Sequence, residues 1–100
     1  MIRVFKLING EEIISEVTEC GVGYECNNPA TIMMQQTENG VGVGIAPYMP
    51  YASGKVTLYL SAIASEAEAD PKMTNEYSRI FGSGIEVVPA SALSGLKIVT

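Results

Sequence analysis

Apolar positions alternate with polar ones through most of residues 1–69, and fall at helical spacing once, at Met73, Tyr77, Ile80 and Phe81. The first predicted strand runs from about Ile2 to Ile8. It carries apolar residues on both faces, Ile2 and Val4 on one, Phe5 and Leu7 on the other. A strand of that kind suits a small closed barrel or a subunit interface better than a sheet with one wet face. Asn9-Gly10 then marks a hairpin, because both residues tolerate positive φ. A second strand follows from about Glu12 to Glu19. A two-residue turn would pair Phe5 with Ile14 and Arg3 with Glu16. A four-residue loop would pair Leu7 with Ile14, Val4 with Val17 and Ile8 with Ile13. The second register joins more apolar pairs and is preferred.

Gly21-Val22-Gly23 makes the next turn, with Cys20 expected near Tyr24 and Thr18 near Cys26. The third strand starts near Gly23 and is interrupted at Asn27-Asn28-Pro29. Proline has no N–H to give a ladder, so a bulge, bend or edge is expected there. The strand resumes through Thr31-Ile32-Met33-Met34, and strong bending of this kind is what a small barrel needs. After the Asn39-Gly40 turn, Val41, Val43 and Ile45 alternate with Gly42, Gly44 and Ala46. One face is bulky and the other bare, which predicts close approach by another group, such as a backbone. Pro47-Tyr48-Met49-Pro50-Tyr51 opens a loop that reaches Gly54.

Lys55 to Leu60 reads as a strand, Ser61-Ala62-Ile63 as a short turn, and Ala64 to Ala69 as an edge segment. Asp70-Pro71 is a helix start, a capping side chain followed by proline at the first helical position. The helix is expected over about 71–82, with Gly82 and Gly84 as its stop and its apolar face capping the barrel. A short extended segment at Ile85–Val88 and another at Leu96–Val99 complete an extended stretch over 85–100. The whole chain, 1–100, reads as a single domain, with the barrel over about 1–69. Its fold class is mainly β, a small, strongly bent antiparallel barrel with one C-terminal helix.

Composition narrows the function. The chain has 6 basic and 11 acidic residues, a net charge of −5. That balance argues against strong non-specific binding of nucleic acid, which depends on Lys and Arg displacing counterions. A local basic patch, repeated by assembly, is still compatible with it. No histidine is present, and no nucleophile elbow, so an enzyme is not expected. Gly40-x-Gly42-x-Gly44 follows a hairpin turn and leads into no helix, so it is no dinucleotide fingerprint, and no cofactor is implied. Glu66, Glu68 and Asp70 match no calcium loop, and no metal site is expected. Cys20 and Cys26 are too few for a disulfide framework and read as free thiols. No apolar run is long enough to span a membrane, and the start lacks a signal-peptide core. An intracellular, cytoplasmic protein is the default expectation.

Leu7-Ile8-Asn9-Gly10, Glu12, Ile14 and Val17, followed by Tyr24-Glu25-Cys26-Asn27-Asn28, resemble the first motif of Sm-like (LSm) proteins. Val56 to Ala64 stands where the second motif would be. The segments LINGEEII, NNPATI, IAPYMP and NEYSRIFGSGI are most similar to small Sm-like proteins of marine cyanophages, and together they cover most of the chain. The resemblance implies an Sm-like, SH3-type barrel. It also implies a homo-oligomeric ring, pentamer to heptamer, that binds RNA or single-stranded DNA in phage nucleic-acid processing, in the host cytoplasm. The alternative is a structural or protein-interaction ring without nucleic acid. The chain departs from the family pattern in three respects. The loop Cys20-Gly21-Val22-Gly23 lacks the polar side chains that read a base, and Ser61-Ala62 replaces the polar pair of the second motif. The family's helix usually precedes the barrel, whereas here it follows. Arg3, Lys6 and Lys55 are the candidate phosphate contacts, and Tyr48 and Tyr51 the candidate stacking rings.

Overall fold

The computed structural model describes residues 1–81. Six strands and one helix follow in chain order: β1 (Ile2–Leu7), β2 (Glu12–Cys20), β3 (Gly23–Thr37), β4 (Gly40–Pro47), β5 (Val56–Tyr59), β6 (Ile63–Glu68) and α1 (Pro71–Phe81). A turn of 3-10 helix, Leu60–Ala62, joins β5 to β6. The described residues are mainly β and antiparallel, with one helix after the strands, as expected. The Ile85–Val88 and Leu96–Val99 segments, and the Gly82 stop, lie outside the described residues.

The sheet runs β4-β3-β2-β1-β6, and β5 also pairs with β3. Strand β3 is shared. Its start, Gly23 to Cys26, pairs with β5, and its later part, Ala30 to Thr37, pairs with β4. Among the described residues no pairing joins β6 back to β4 or β5, so the sheet is not a hydrogen-bonded circle. The 3-10 turn crosses the gap instead. The Leu60 N–H donates to the Val22 carbonyl at 3.0 Å, and the Ile8 N–H to the Ala62 carbonyl at 2.9 Å.

Neither expected register of the first hairpin is adopted. Phe5 pairs with Ile13, Val4 with Ile14, Arg3 with Ser15 and Lys6 with Glu12. The loop is Ile8-Asn9-Gly10, three residues, with Gly10 at φ +93°. The Gly10 N–H bonds to the Leu7 carbonyl at 2.9 Å, and Asn9 Oδ1 accepts from the Glu11 N–H at 2.9 Å. A three-residue loop with glycine in the left-handed position is a common hairpin closure. It sets Phe5 beside Ile13 in one apolar cluster while Val4 and Ile14 turn together to the opposite face of the sheet.

The second hairpin is likewise one residue tighter than expected. Cys20 pairs with Gly23, Glu19 with Tyr24 and Val17 with Cys26. Gly23, at φ +155°, lets the turn press on β5: a Cβ there would lie 2.1 Å from the Leu58 carbonyl oxygen. Both cysteines are free thiols, Cys20 exposed and Cys26 buried. Burial pushes the Cys26 thiol pKa up, a shift the Ser15 hydroxyl partly offsets.

The break at Asn27-Asn28-Pro29 is a bulge. Asn28 and Pro29 stand opposite Ser15 alone, because the register shifts between Ile14–Ala30 and Glu16–Asn27. Asn28 takes φ +58°, a conformation asparagine adopts more readily than most residues. The bend there turns β3 from β5 toward β4.

Two apolar clusters result, one on each face of the sheet. Phe5, Leu7, Ile13, Val17, Tyr24, Cys26 and Leu58 fill the concave side, with Tyr48, Val56, Ala62 and Ile63 packed around them. Ile14, Ala30 and Ile45 form the other cluster with Tyr77, joined by Ile2, Val4, Ile32, Ala69, Met73, Ile80 and Phe81. The helix therefore lies along the outer face of the sheet. Capping the barrel was the expectation. The two-sided apolar pattern of β1 is satisfied inside one chain, because α1 covers the second face. The helix starts as its sequence predicts: Asp70 Oδ1 accepts from the Met73 N–H at 2.8 Å.

The bare face of β4 also has an internal answer. A Cβ on Gly44 would lie 2.9 Å from the Gln35 side-chain amide, so the group that approaches it is a side chain of β3. At Gly42 a Cβ would meet only ordinary contacts, the Thr37 methyl at 3.8 Å and the Gln35 carbonyl oxygen at 4.0 Å, so no close approach requires a glycine there.

Candidate nucleic-acid interface

The three cations on which the sequence reading depends start from different faces. Arg3 and Phe5 lie on the same side of β1, and Lys6 lies on the opposite side with Val4. Arg3 is only partly exposed. Its Nε sits 3.4 Å from Glu66 Oε1 and is a buried nitrogen without a hydrogen-bond partner. The same carboxylate oxygen accepts a short hydrogen bond from the Tyr24 hydroxyl. That bond, then burial, pushes the Tyr24 phenol pKa above its ordinary value, while the Arg3 charge opposes the shift. Tyr24 in turn packs at a tilt on Phe5, ring centroids 5.1 Å apart. Arg3, Glu66 and Tyr24 form one polar corner of the concave cluster.

Lys6 pairs with Glu12 at 3.1 Å across the β1–β2 hairpin, where the two stand in register. Lys55 lies 3.8 Å from Glu25. The amino group of Met1 reaches Glu16 at 2.6 Å. Arg79 pairs with Glu76 one turn back on α1. Lys6 and Lys55 are more than half exposed. Such pairs are worth no more than about 1 kcal/mol, so a phosphate could compete for either lysine.

The tyrosines divide. Tyr48 packs against the concave cluster, and its N–H donates to the Pro29 carbonyl at 2.8 Å. Tyr51 is 98% exposed. Of the two rings, Tyr51 presents both faces to solvent. Met49 and Tyr51 are exposed in the same loop.

Tyr77, on the apolar face of the helix, carries a polar contact that sequence reasoning missed. Its hydroxyl reaches the bulge. It accepts from the Glu16 N–H at 3.1 Å and donates toward the carbonyls of Asn27 at 2.7 Å and Asn28 at 2.8 Å. The signal available was an interrupted strand plus a tyrosine on the apolar helix face, and neither alone locates the contact. A cavity of about 320 Å³ lies beside it, lined by Ile2, Glu16, Asn27, Asn28, Ser78 and Phe81. The acidic alternation resolves into separate roles: Glu66 holds the corner with Tyr24 and Arg3, and Asp70 caps the helix. Among the described residues no group of three His, Cys, Asp or Glu side chains is placed to hold a metal ion. No helix among them is long and apolar enough to cross a membrane.

No protein-family model and no curated protein matches the chain.

Proposed function

We propose that this chain is an Sm-like subunit. It assembles head-to-tail into a homo-oligomeric ring, pentamer to heptamer, that binds single-stranded RNA or DNA in phage nucleic-acid processing. The observation that carries the reading is the path of the sheet. Strand β3 bends to serve β5 and β4 in turn, and the 3-10 turn carries the chain from β5 to β6 on the far side of β1. That path suits the small bent barrel the motif resemblance implies. Among the described residues it leaves β4 and β6, at the two ends of the β4-β3-β2-β1-β6 path, paired on one side only, as is β5, which pairs with β3 alone. Pairing unlike edges is a heterologous contact, and such contacts close into rings when the rotation allows.

In this reading the bases stack on Tyr51 and the phosphates meet Lys6 and Lys55, repeated around the ring. Arg3 and Tyr48 act behind them, Arg3 through Glu66 and Tyr48 by setting the loop. The apolar second face of β1 and the bare position at Gly44 lend the ring no support, since α1 covers the first and the Gln35 side chain approaches the second.

A second reading, a structural or protein-interaction ring without nucleic acid, rests on the pairing of Arg3, Lys6 and Lys55 with glutamates. Titrating a fluorescent single-stranded oligonucleotide at low and at moderate salt separates the two. Binding that weakens with salt, and weakens again in Lys6→Ala, Lys55→Ala and Tyr51→Ala, supports the first. Absence of binding at low salt leaves only the second.

A further inference from the structure

The recess beside Tyr77 adjoins a second cleft at the root of β4. Asn28 and Phe81 line both, so the two are continuous. Their chemistry differs. The recess, about 320 Å³, is walled by Glu16, Asn27, Asn28 and Ser78 together with Tyr77 and Phe81. The cleft, about 230 Å³, is walled mainly by Pro29, Pro47, Met49, Pro50 and Val56. Pro50 and Ala52 of that cleft flank the exposed Tyr51.

The polar side chains of the recess have spare hydrogen-bonding capacity. Among the described residues the side-chain amides of Asn27 and Asn28 and the hydroxyl of Ser78 make no hydrogen bond. Asn28 is set at φ +58°, and its carbonyl accepts from the Tyr77 hydroxyl at 2.8 Å. The backbone beneath its side chain is therefore fixed before any ligand arrives, and bulges commonly re-aim side chains in this way. Glu16 accepts from the Met1 amino group through Oε2 at 2.6 Å, which leaves Oε1 open. Each carboxylate oxygen has two lone pairs, so both still accept. No Lys or Arg lines the recess among the described residues, so it suits the uncharged, flat part of a nucleotide and leaves phosphate outside. Its volume lies at the low end of small-ligand sites, about 300–1,000 Å³.

The donor and acceptor pattern selects among bases. A carboxylate only accepts. Guanine presents two adjacent donors, N1–H and the N2 amine, and its O6 and N7 accept from side-chain donors. Adenine and cytosine set a ring nitrogen acceptor beside their one amine, and uracil sets its one N–H between two carbonyls. We propose that the recess between α1 and the β3 bulge is a guanine-selective base subsite, an inference that rests on the reading that the chain binds single-stranded nucleic acid. Glu16 accepts from N1–H and the N2 amine, the amides of Asn27 and Asn28 donate to O6 and N7, and Phe81 supplies the stacking ring. The strand continues along the proline-lined cleft to Tyr51.

The test uses the full chain with guanosine 5′-monophosphate as probe, followed by backbone amide shifts. Shifts centred on Glu16, Asn27, Asn28 and Ser78 are expected, with affinity roughly tenfold or more above that for the adenosine, cytidine and uridine monophosphates. Equal affinity for the four, shifts only elsewhere, or none would overturn the inference. Glu16→Gln keeps the side chain's size but turns one acceptor into a donor, and should abolish the preference. Asn28→Gly keeps the positive φ and should weaken guanosine monophosphate severalfold. Unaltered binding in both variants would also overturn it. A short thymidine oligomer with and without one central guanine separates the sources of the base. Tighter binding of the guanine-containing oligomer sets the subsite on the strand, and equal binding of the two overturns that path. Selective binding of the mononucleotide with no oligomer bound at low salt upholds the guanine subsite and sinks the strand reading alone.

Discussion

The hydroxyl of Tyr77 donates to the carbonyl of Asn27 at 2.7 Å, tying the helix to the bulge in β3. A bulge leaves backbone groups without ladder partners. Here one hydroxyl serves three of them, the Glu16 N–H and the Asn27 and Asn28 carbonyls. Ser15, fully buried opposite the bulge, adds a hydroxyl that reaches the Glu16 carbonyl at 2.9 Å and the Asn27 carbonyl at 3.2 Å. The bend in β3 is thus held from the face of the sheet that α1 covers. Tyr77→Phe keeps the ring against Phe81 and removes only the hydroxyl. It should cost about 1–3 kcal/mol in urea unfolding, the usual penalty for stranding buried polar groups. A cost near zero would mean water replaces the hydroxyl without loss.

The same contact sets an alkaline limit on stability. Burial pushes the Tyr77 phenol pKa up, partly opposed by its bonds to the Glu16 backbone and Ser15. A raised folded-state value favours the folded state below the ordinary phenol pKa, about 10. Above that pH the unfolded chain loses its proton first, so stability falls as pH rises toward the folded value. Chemical unfolding measured from pH 9 to 11 should show this fall, and Tyr77→Phe should flatten part of it.

Gly23 and Gly10 separate steric from conformational demand. A Cβ at Gly23 would strike the Leu58 carbonyl oxygen at 2.1 Å, a backbone atom that cannot rotate away. Gly10 has positive φ but nothing within 4 Å. Gly23→Ala should therefore lower the melting temperature far more than Gly10→Ala, whose cost is about 1 kcal/mol of backbone strain. Equal shifts would show that β5 moves freely against the turn.

The two thiols should react unequally. Cys20 is exposed, and Cys26 is buried with its thiol pKa raised. Because the thiolate is the reactive form, a disulfide reagent at neutral pH should modify Cys20 quickly and Cys26 only on unfolding. Two fast equivalents would place Cys26 outside the core.

What the sequence makes legible here is local. Asn9-Gly10, Asn39-Gly40 and Asp70-Pro71 place their turns and the helix start correctly, because each signal is a backbone preference of the residues themselves. Register is less legible. Apolar pairing counts favoured a four-residue first loop, but the glycine geometry at residue 10 closes a three-residue one. The two-sided apolar pattern of β1 was legible as burial on both faces, without saying by what. The answer, α1, is contributed from residues 71–81, remote in the chain. The candidate site suffers most, since a lysine's charge is visible in sequence and its glutamate partner across a hairpin is not.

If the glutamates hold Lys6 and Lys55 back from phosphate, freeing them should strengthen binding. Glu12→Gln and Glu25→Gln release the two lysines and reduce the negative charge. Both should tighten oligonucleotide binding at low salt and steepen its salt dependence, since each added phosphate contact releases counterions. Unaltered affinity in both variants would remove these lysines from the interface.

The central claim is the proposal that the open sheet, whose β4 and β6 edges are unpaired among the described residues, completes itself in a ring of like copies. Native mass spectrometry of the full chain at micromolar concentration tests it most directly. The account predicts one closed species between pentamer and heptamer, and a monomer across that range would contradict it.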